Sequence, residues 1–450
     1  MKLRSLLYGA LAAVLIIPLL VSCGSTAQVP PVVVTPTTAV VPSATADAAT
    51  PDTAGAQPTI APTLIADTPG AEATATSADP AALTFPLKTP YLEFGVVTHL
   101  YYTDRERVLQ LSENAGFDWV RQQIVWKDTE GPEAGKYSFD ELDLIVPAVA
   151  KYKKKLLVNI VQAPSFYTED GSNGLPADPN SLANFVETLA KRYGNQIAAY
   201  EIWNEQNLAH ETGGRIEESD VGKYVEMVIS CYQRIKAVTP EAFVLIGAPS
   251  SSGVNDPSLA ISDENYYRAM YAYKDGIIKD YFDAQGVHPG GAANPPDTLY
   301  PENPSFIEGC QPAPDKCWND DATHYFRHIE DVRKIMEDAG LGDHQIWVTE
   351  FGWATPNDTP GYEFGNYVSI DQQAEYISGA MRLGFEKYQP WLGNMFLWNM
   401  NFAVLWAAQD PPQPNHEQAS FGILNPDWSP RPSFNAVQAL IAQVKQEEGR

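Results

Sequence analysis

The sequence predicts an α/β fold: a (β/α)8 barrel, the TIM-barrel architecture, preceded by a segment that cannot build a core. Three observations carry the prediction. From about residue 85 onward, short apolar runs alternate with longer stretches of helical period. Each kind occurs eight times, and no glycine-rich phosphate loop breaks the rhythm. The alternative is a doubly wound open sheet, as in a two-lobed solute-binding lipoprotein, and the count of eight favours closure.

The strand candidates are residues 92–98, 119–125, 156–161, 198–203, 243–248, 282–287, 345–349 and 395–398. Thr103 and Glu106 stand at capping-box spacing, and Gly116 closes the helix they open. Asp178-Pro179 starts another, whose buried stripe is Leu182, Phe185, Val186, Leu189 and Tyr193. Val221, Tyr224, Val225, Val228, Tyr232 and Ile235 mark a third. The rest cover roughly 140–153, 264–279, 322–340, 371–387 and 432–446.

Ahead of the barrel, Lys2 and Arg4 precede an apolar run over 6–21, too short for a comfortable membrane span. The run ends in Leu20-Val21-Ser22-Cys23-Gly24, which resembles a bacterial lipobox. Residues 1–22 are therefore expected to be a signal peptide. Cys23 is expected to be lipidated and to tie the protein to the lipid bilayer at the bacterial cell surface, outside the cytoplasm. Residues 23–84 are rich in Thr, Ala, Pro and Val and poor in charge and aromatics, so a disordered stalk is expected. As a flexible coil its ~60 residues reach roughly 45 Å. The folded domain is 85–450.

Three cysteines remain besides Cys23. Cys310 and Cys317 flank a Pro-rich loop, and in an exported chain such a pair reads as a local disulfide. A metal site is the rival, but no second Cys/His pair has the spacing. Cys231 sits within a helical pattern and reads as a buried thiol.

The formal charge of −26 repels phosphate backbones, which excludes nucleic acid as a partner and disfavours a polyanionic substrate. The one tight basic run, Lys153-Lys154-Lys155, falls at the end of a predicted helix, where cations complement the dipole. The 22 Tyr and 10 Trp allow flat aromatic surface, though aromatics are more often core. A monomer is expected.

In such a barrel, chemistry sits where strands end at the C-terminal rim. Strand 1 ends at His99 and strand 2 carries Arg121 and ends near Trp126. Strand 4 ends Trp203-Asn204-Glu205, strand 6 at His288-Pro289, strand 7 at Thr349-Glu350 followed by Trp353, and strand 8 at Trp398. Glu205 and Glu350 each close an apolar strand, and strands 4 and 7 face one another across the mouth. Glycoside hydrolysis needs that pair: one carboxyl to protonate the leaving oxygen, one carboxylate to attack or to activate water. Either glutamate alone is weak evidence, since solvated Glu at strand ends is common. Glu201 shares the parity of Glu205 and is a rival.

Tyr200-Glu201-Ile202-Trp203-Asn204-Glu205 and Trp347-Val348-Thr349-Glu350-Phe351-Gly352 resemble the strand-4 and strand-7 motifs of clan A glycoside hydrolases, with families 39 and 5 nearest in flavour. The resemblance spans 85–450 and implies retention of anomeric configuration. It makes Glu205 the acid/base and Glu350 the nucleophile. It also has Asn204 binding the sugar 2-hydroxyl, Arg121 orienting and ionising the nucleophile, and Trp398 flooring the reacting-sugar subsite. Two departures stand out. Gln206-Asn207 replaces the usual Pro after the strand-4 Glu, and no Tyr stands beside His288, which leaves His288 as the candidate for holding the nucleophile from that side.

Other rim residues have softer readings. His99 either binds sugar hydroxyls or is a satisfied structural histidine. Trp126 and Trp353 either stack on sugars or pack in the core. Trp406, Trp318 and Trp428 lie in or near long loops that can supply outer subsites. No metal or organic cofactor is implied. A non-catalytic carbohydrate-binding barrel and a solute-binding lipoprotein fit the paired glutamates less well, and a transglycosylase fits them equally. The glycan, and internal versus terminal cleavage, stay open.

Overall fold

The structure, a computed structural model, describes residues 83–301 and 318–450. Eight parallel strands close into a barrel in sequence order. They are β1 (Glu93–Val97), β2 (Trp119–Val125), β3 (Lys155–Val161), β4 (Ala199–Ile202), β5 (Phe243–Ile246), β6 (Ala284–Val287), β7 (Gln345–Phe351) and β8 (Leu392–Leu397). β8 pairs back to β1, with Phe94 opposite Met395. Every predicted run overlaps one of these strands, though β3 and β8 start earlier and β7 runs on to Phe351. Each reads as a mainly apolar run because helices cover its outer face while side chains fill its inner one, with polar residues such as Arg121 and Glu201 where the inner face meets the site.

The barrel interior is layered. Near the N-terminal ends, Trp119, Phe243, Trp347 and Phe396 interlock, with Trp119 and Trp347 edge to face at 5.1 Å between centroids. One pleat higher on β2 and β4 the lining turns polar, with Arg121 and Glu201 fully buried. Below the barrel, the entering chain is stitched to it by Leu87 N donating to Asp283 and Thr89 N donating to Gln345.

Most helix ends follow the sequence signals. Asp178 caps the helix Pro179–Tyr193 with Pro at its first turn. The first helix differs: its cap is Asp104, which accepts from Arg107 N, not Thr103. Glu106 reaches out to Lys151 and Tyr152 instead of back to the cap. The predicted 264–279 helix ends at Ala272, because Lys274, Asp275 and Gly276 turn left-handed before a 3-10 segment. The basic run also lies beyond its helix, which stops at Lys151. Lys154 donates to the Phe117 carbonyl and Lys155 opens β3 and pairs with Glu93, so these cations serve the barrel floor and not a helix dipole.

Cys231 is a buried free thiol as expected. Cys23, Cys310, Cys317, the signal peptide and nearly all of the stalk lie outside the described residues.

Candidate active site

Arg121, on β2, is the hub of the rim. Its Nε donates to Glu201 at 2.7 Å, Nη1 to Glu350 at 2.6 Å and Nη2 to Asn204 at 2.9 Å. Three groups from β4 and β7 are thus fixed by one planar fork, a geometry only Arg provides. Glu201 is thereby spent on the guanidinium at the barrel axis, whereas Glu205 lines the open cleft. The rivalry between the two glutamates of β4 is resolved by which of them meets the cleft.

Two backbone devices aim the carboxylates. Beyond β4, Trp203 and Glu205 both take left-handed conformations, with φ of 68° and 48°. Non-glycine residues pay for that backbone, and such outliers cluster at functional sites. The turn is locked by Glu205 N donating to Ala248 O, Gln206 Nε2 to Gly247 O, and Asn207 Nδ2 to Ser250 O and Ile261 O. Buried amides at 206 and 207 therefore do the fixing in the place of the absent Pro. On β7, a register shift against β8 falls between Val348 and Phe351. A bulge there lets two consecutive side chains face the interior, Thr349 toward His288 and Glu350 toward Arg121. Gly352 follows, where a Cβ would stand 2.6 Å from the Trp398 carbonyl.

His288 ends β6 and touches the other carboxylate. Its Nδ1 lies 3.1 Å from Glu205, its Nε2 3.1 Å from Thr349 Oγ1 and 4.0 Å from Glu350. The expectation that His288 holds the nucleophile is thus corrected. Arg121 holds Glu350, and the imidazole bonds Glu205, because the β4 turn brings Glu205 over the end of β6. Burial, with the Arg121 charge, keeps this ring well below the usual histidine range, so it is neutral and has one donor and one acceptor nitrogen.

Burial pushes the Glu205 carboxyl well above the ordinary carboxylate range, and the Glu350 charge adds to the push. Burial raises Glu350 to about 8, with Arg121 the strongest force against it. The two titrate as one unit. The cation sits on Glu350 and a neutral ring on Glu205, so Glu350 gives up its proton first and Glu205 keeps its own. Environments that push two carboxyls apart in this way assign one as acid and the other as anion.

The cleft above them, about 650 Å3 counted to its open mouth, is lined by Glu205, His288, Glu350, Trp398 and three rings from long loops, Tyr362, Phe364 and Phe421. Trp398 keeps a sliver of exposure and packs on Phe402 at 4.8 Å. Among the described residues neither Trp398 Nε1 nor Asn204 Nδ2 has a hydrogen-bond partner, which leaves two buried donors at the site.

The other candidates sort differently. Trp126 is fully buried, stacked on Tyr167 and Phe185 and bonded to Glu130, so it is core. Trp353 is also fully buried, donates to Asn294 O and packs under Gly291. Neither can stack on a sugar, because each strand end turns its indole outward into the helix layer. Trp318 packs edge-on to Phe364, Trp406 stacks on His416, and Trp428 lies under Arg107. Burial lowers His99 to about 4, and Asn401 clamps its backbone N–H and C=O together. Sequence reasoning missed Tyr362, Phe364, Phe421 and Thr349. Only Thr349, adjacent to Glu350, carried a local signal.

No family model matches the chain. Cellodextrinase A of Ruminococcus flavefaciens is 25% identical over 142 residues, which cover 30% of this chain and 40% of that protein. Among solved structures, a family 39 glycoside hydrolase from Bacteroides cellulosilyticus WH2 superposes with a TM-score of 0.56 at 21% identity, over 79% of this chain and 64% of that one. A GH5_18 protein from Streptomyces cattleya, solved with GlcNAc, superposes with a TM-score of 0.54 at 14% identity, over 80% and 82%. The fold is therefore one that glycoside hydrolases of families 39 and 5 adopt, as the strand-4 and strand-7 motifs implied.

Proposed function

We propose that the protein is a retaining glycoside hydrolase acting on β-linked sugars of an extracellular glycan. One observation carries the reading. Two buried glutamates meet in one cleft, and of these two Glu350 is bonded to the Arg121 guanidinium while Glu205 is bonded to a neutral imidazole. A binding barrel has no need to bury two carboxylates with opposed electrostatics. The partial similarity to a cellodextrinase and the shared fold with families 39 and 5 support the same chemistry.

In the first step the Glu205 proton passes to the glycosidic oxygen as the bond from that oxygen to the anomeric carbon breaks. The Glu350 carboxylate attacks the same carbon from the opposite face and forms a glycosyl ester. Asn204, fixed by Arg121, has its Nδ2 free to donate to the 2-hydroxyl, and Trp398 supports the sugar face. In the second step Glu205, now a carboxylate, takes a proton from water. The resulting hydroxide attacks the anomeric carbon, releases Glu350 and leaves the original configuration. Retention needs the carboxyls about 5–5.5 Å apart.

The lipobox-like Leu20-Val21-Ser22-Cys23 and the Thr/Ala/Pro-rich stretch support a surface-tethered enzyme facing glycans outside the cell. The test is an aryl-glycoside and polysaccharide panel on wild type, Glu205→Ala and Glu350→Ala. Both variants are expected to lose activity, with azide rescuing Glu205→Ala. Full activity in either overturns the assignment.

A further inference from the structure

We propose that Thr349 is a positioning residue for the acid/base: through His288, its hydroxyl fixes which oxygen of Glu205 carries the catalytic proton. The inference rests on the glycosidase reading above and deepens it.

Three groups from three strand ends stand in file. Thr349 Oγ1 lies 3.1 Å from His288 Nε2, and His288 Nδ1 lies 3.1 Å from Glu205 Oε1. Thr349 is fully buried, so solvent does not compete for its hydroxyl. Among the described residues, the ring nitrogen is the one hydrogen-bond partner of that side chain. Glu350 is 4.0 Å from Nε2, too far to accept from it. A neutral imidazole has a single N–H, and the bond made at one nitrogen decides which of the two bears it. With hydrogen on Nε2, the Thr349 proton would lack an acceptor and Nδ1 would turn a bare lone pair toward Glu205. With the hydroxyl donating to Nε2, both groups are satisfied and Nδ1–H donates to Oε1.

The consequence falls on Glu205. Oε1 accepts from Nδ1–H whether the carboxyl is protonated or ionised, so one tautomer serves both steps of the reaction. The acid proton then sits on Oε2, which has no hydrogen-bond partner among the described residues and is left for the glycosidic oxygen. The opposite tautomer would draw the proton onto Oε1 and bond it to the ring, away from the leaving group. The charges of Glu350, Glu211 and Arg121 and the Ser250 hydroxyl also act on this carboxyl and tune its ionisation, whereas His288 bonds Oε1 specifically. The bulge in β7 turns Thr349 and Glu350 inward together, so one short segment sets the nucleophile and, through the ring, the acid.

The test uses kcat/KM, which reports the glycosylation step, for aryl β-glycosides of one sugar. 2,4-Dinitrophenol leaves without a proton, whereas phenol needs one. Thr349→Val keeps the shape and removes the hydroxyl. It is expected to lower kcat/KM for the phenyl glycoside roughly 3- to 10-fold and to change the 2,4-dinitrophenyl glycoside less than about twofold. Thr349→Ser is expected to recover most of the loss. Ring-nitrogen NMR of histidine-labelled wild type is expected to show Nδ1 protonated and Nε2 bare, on the ring whose signals vanish in His288→Gln. Equal losses on the two glycosides in Thr349→Val, no loss on the phenyl glycoside, or a Thr349→Ser as impaired as Thr349→Val overturns the role. An Nε2–H tautomer in the wild type overturns it while the glycosidase reading stands. No turnover of any aryl β-glycoside overturns both.

Discussion

Glu201→Gln separates the electrostatics of the cleft from its geometry. Arg121 carries one charge between two carboxylates, Glu201 at 2.7 Å and Glu350 at 2.6 Å. A Gln at 201 still accepts from Nε, but it no longer repels the Glu350 anion as Glu201 does now. Carboxylates on two edges of one guanidinium stand roughly 6 Å apart, and at an effective dielectric of about 20 their repulsion is about 3 kcal/mol. That corresponds to about 2 pH units in the ionisation of Glu350. The acidic limb of the kcat/KM profile, measured on an aryl β-glycoside, is therefore expected to move to lower pH by up to about 2 units. A limb that stays put or moves upward refutes the reasoning. It would mean that Glu201 matters only as a brace for Arg121, and that losing the brace outweighs losing the charge.

Three further outcomes follow from the same geometry. Gly352→Ala places a methyl 2.6 Å from the Trp398 carbonyl, so the ends of β7 and β8 must part. Thermal unfolding should show a loss of about 1–3 kcal/mol, with kcat falling as Glu350 shifts. Trp126→Phe breaks the bond to Glu130 and should cost about 1–3 kcal/mol of stability with little effect on KM, whereas Trp398→Ala should lower kcat/KM by about tenfold or more. Glu205→Gln should stabilise the fold, and increasingly so as pH rises. With its folded pKa raised, Glu205 is neutral in both states at low pH. Above the ordinary carboxylate range it ionises in the unfolded chain but not in the folded one, so wild-type stability falls until the raised value is passed. Melting temperatures of the two proteins that differ equally at pH 4 and pH 8 would contradict this.

The barrel was legible because a strand buried on both faces is mostly apolar, and eight such runs at helical intervals admit few other closures. Asn204, Glu205 and Glu350 were legible because each sits at a strand end within a short motif, and Arg121 because a lone cation stands inside a strand pattern. The tryptophans were not separable. Trp126, Trp353 and Trp398 all follow strands, but a bulge or a left-handed turn decides which way an indole points, and neither is written in the local pattern. Tyr362, Phe364 and Phe421 reach the cleft from loops whose approach depends on long-range packing. His288 was placed correctly at the end of β6 but against the wrong carboxylate, because the turn that carries Glu205 over it is set by Gln206 and Asn207 bonding to the loop after β5.

The central claim is that Glu350 becomes covalently glycosylated while Glu205 serves as acid and base. The most direct measurement is to trap that ester with a 2-deoxy-2-fluoro β-glycoside carrying a good leaving group, followed by peptide mass mapping. The account predicts one sugar added per chain, on the peptide that contains Glu350, and no labelling in Glu350→Gln. Label on any other residue, or turnover with an inverted product and no adduct, would contradict it.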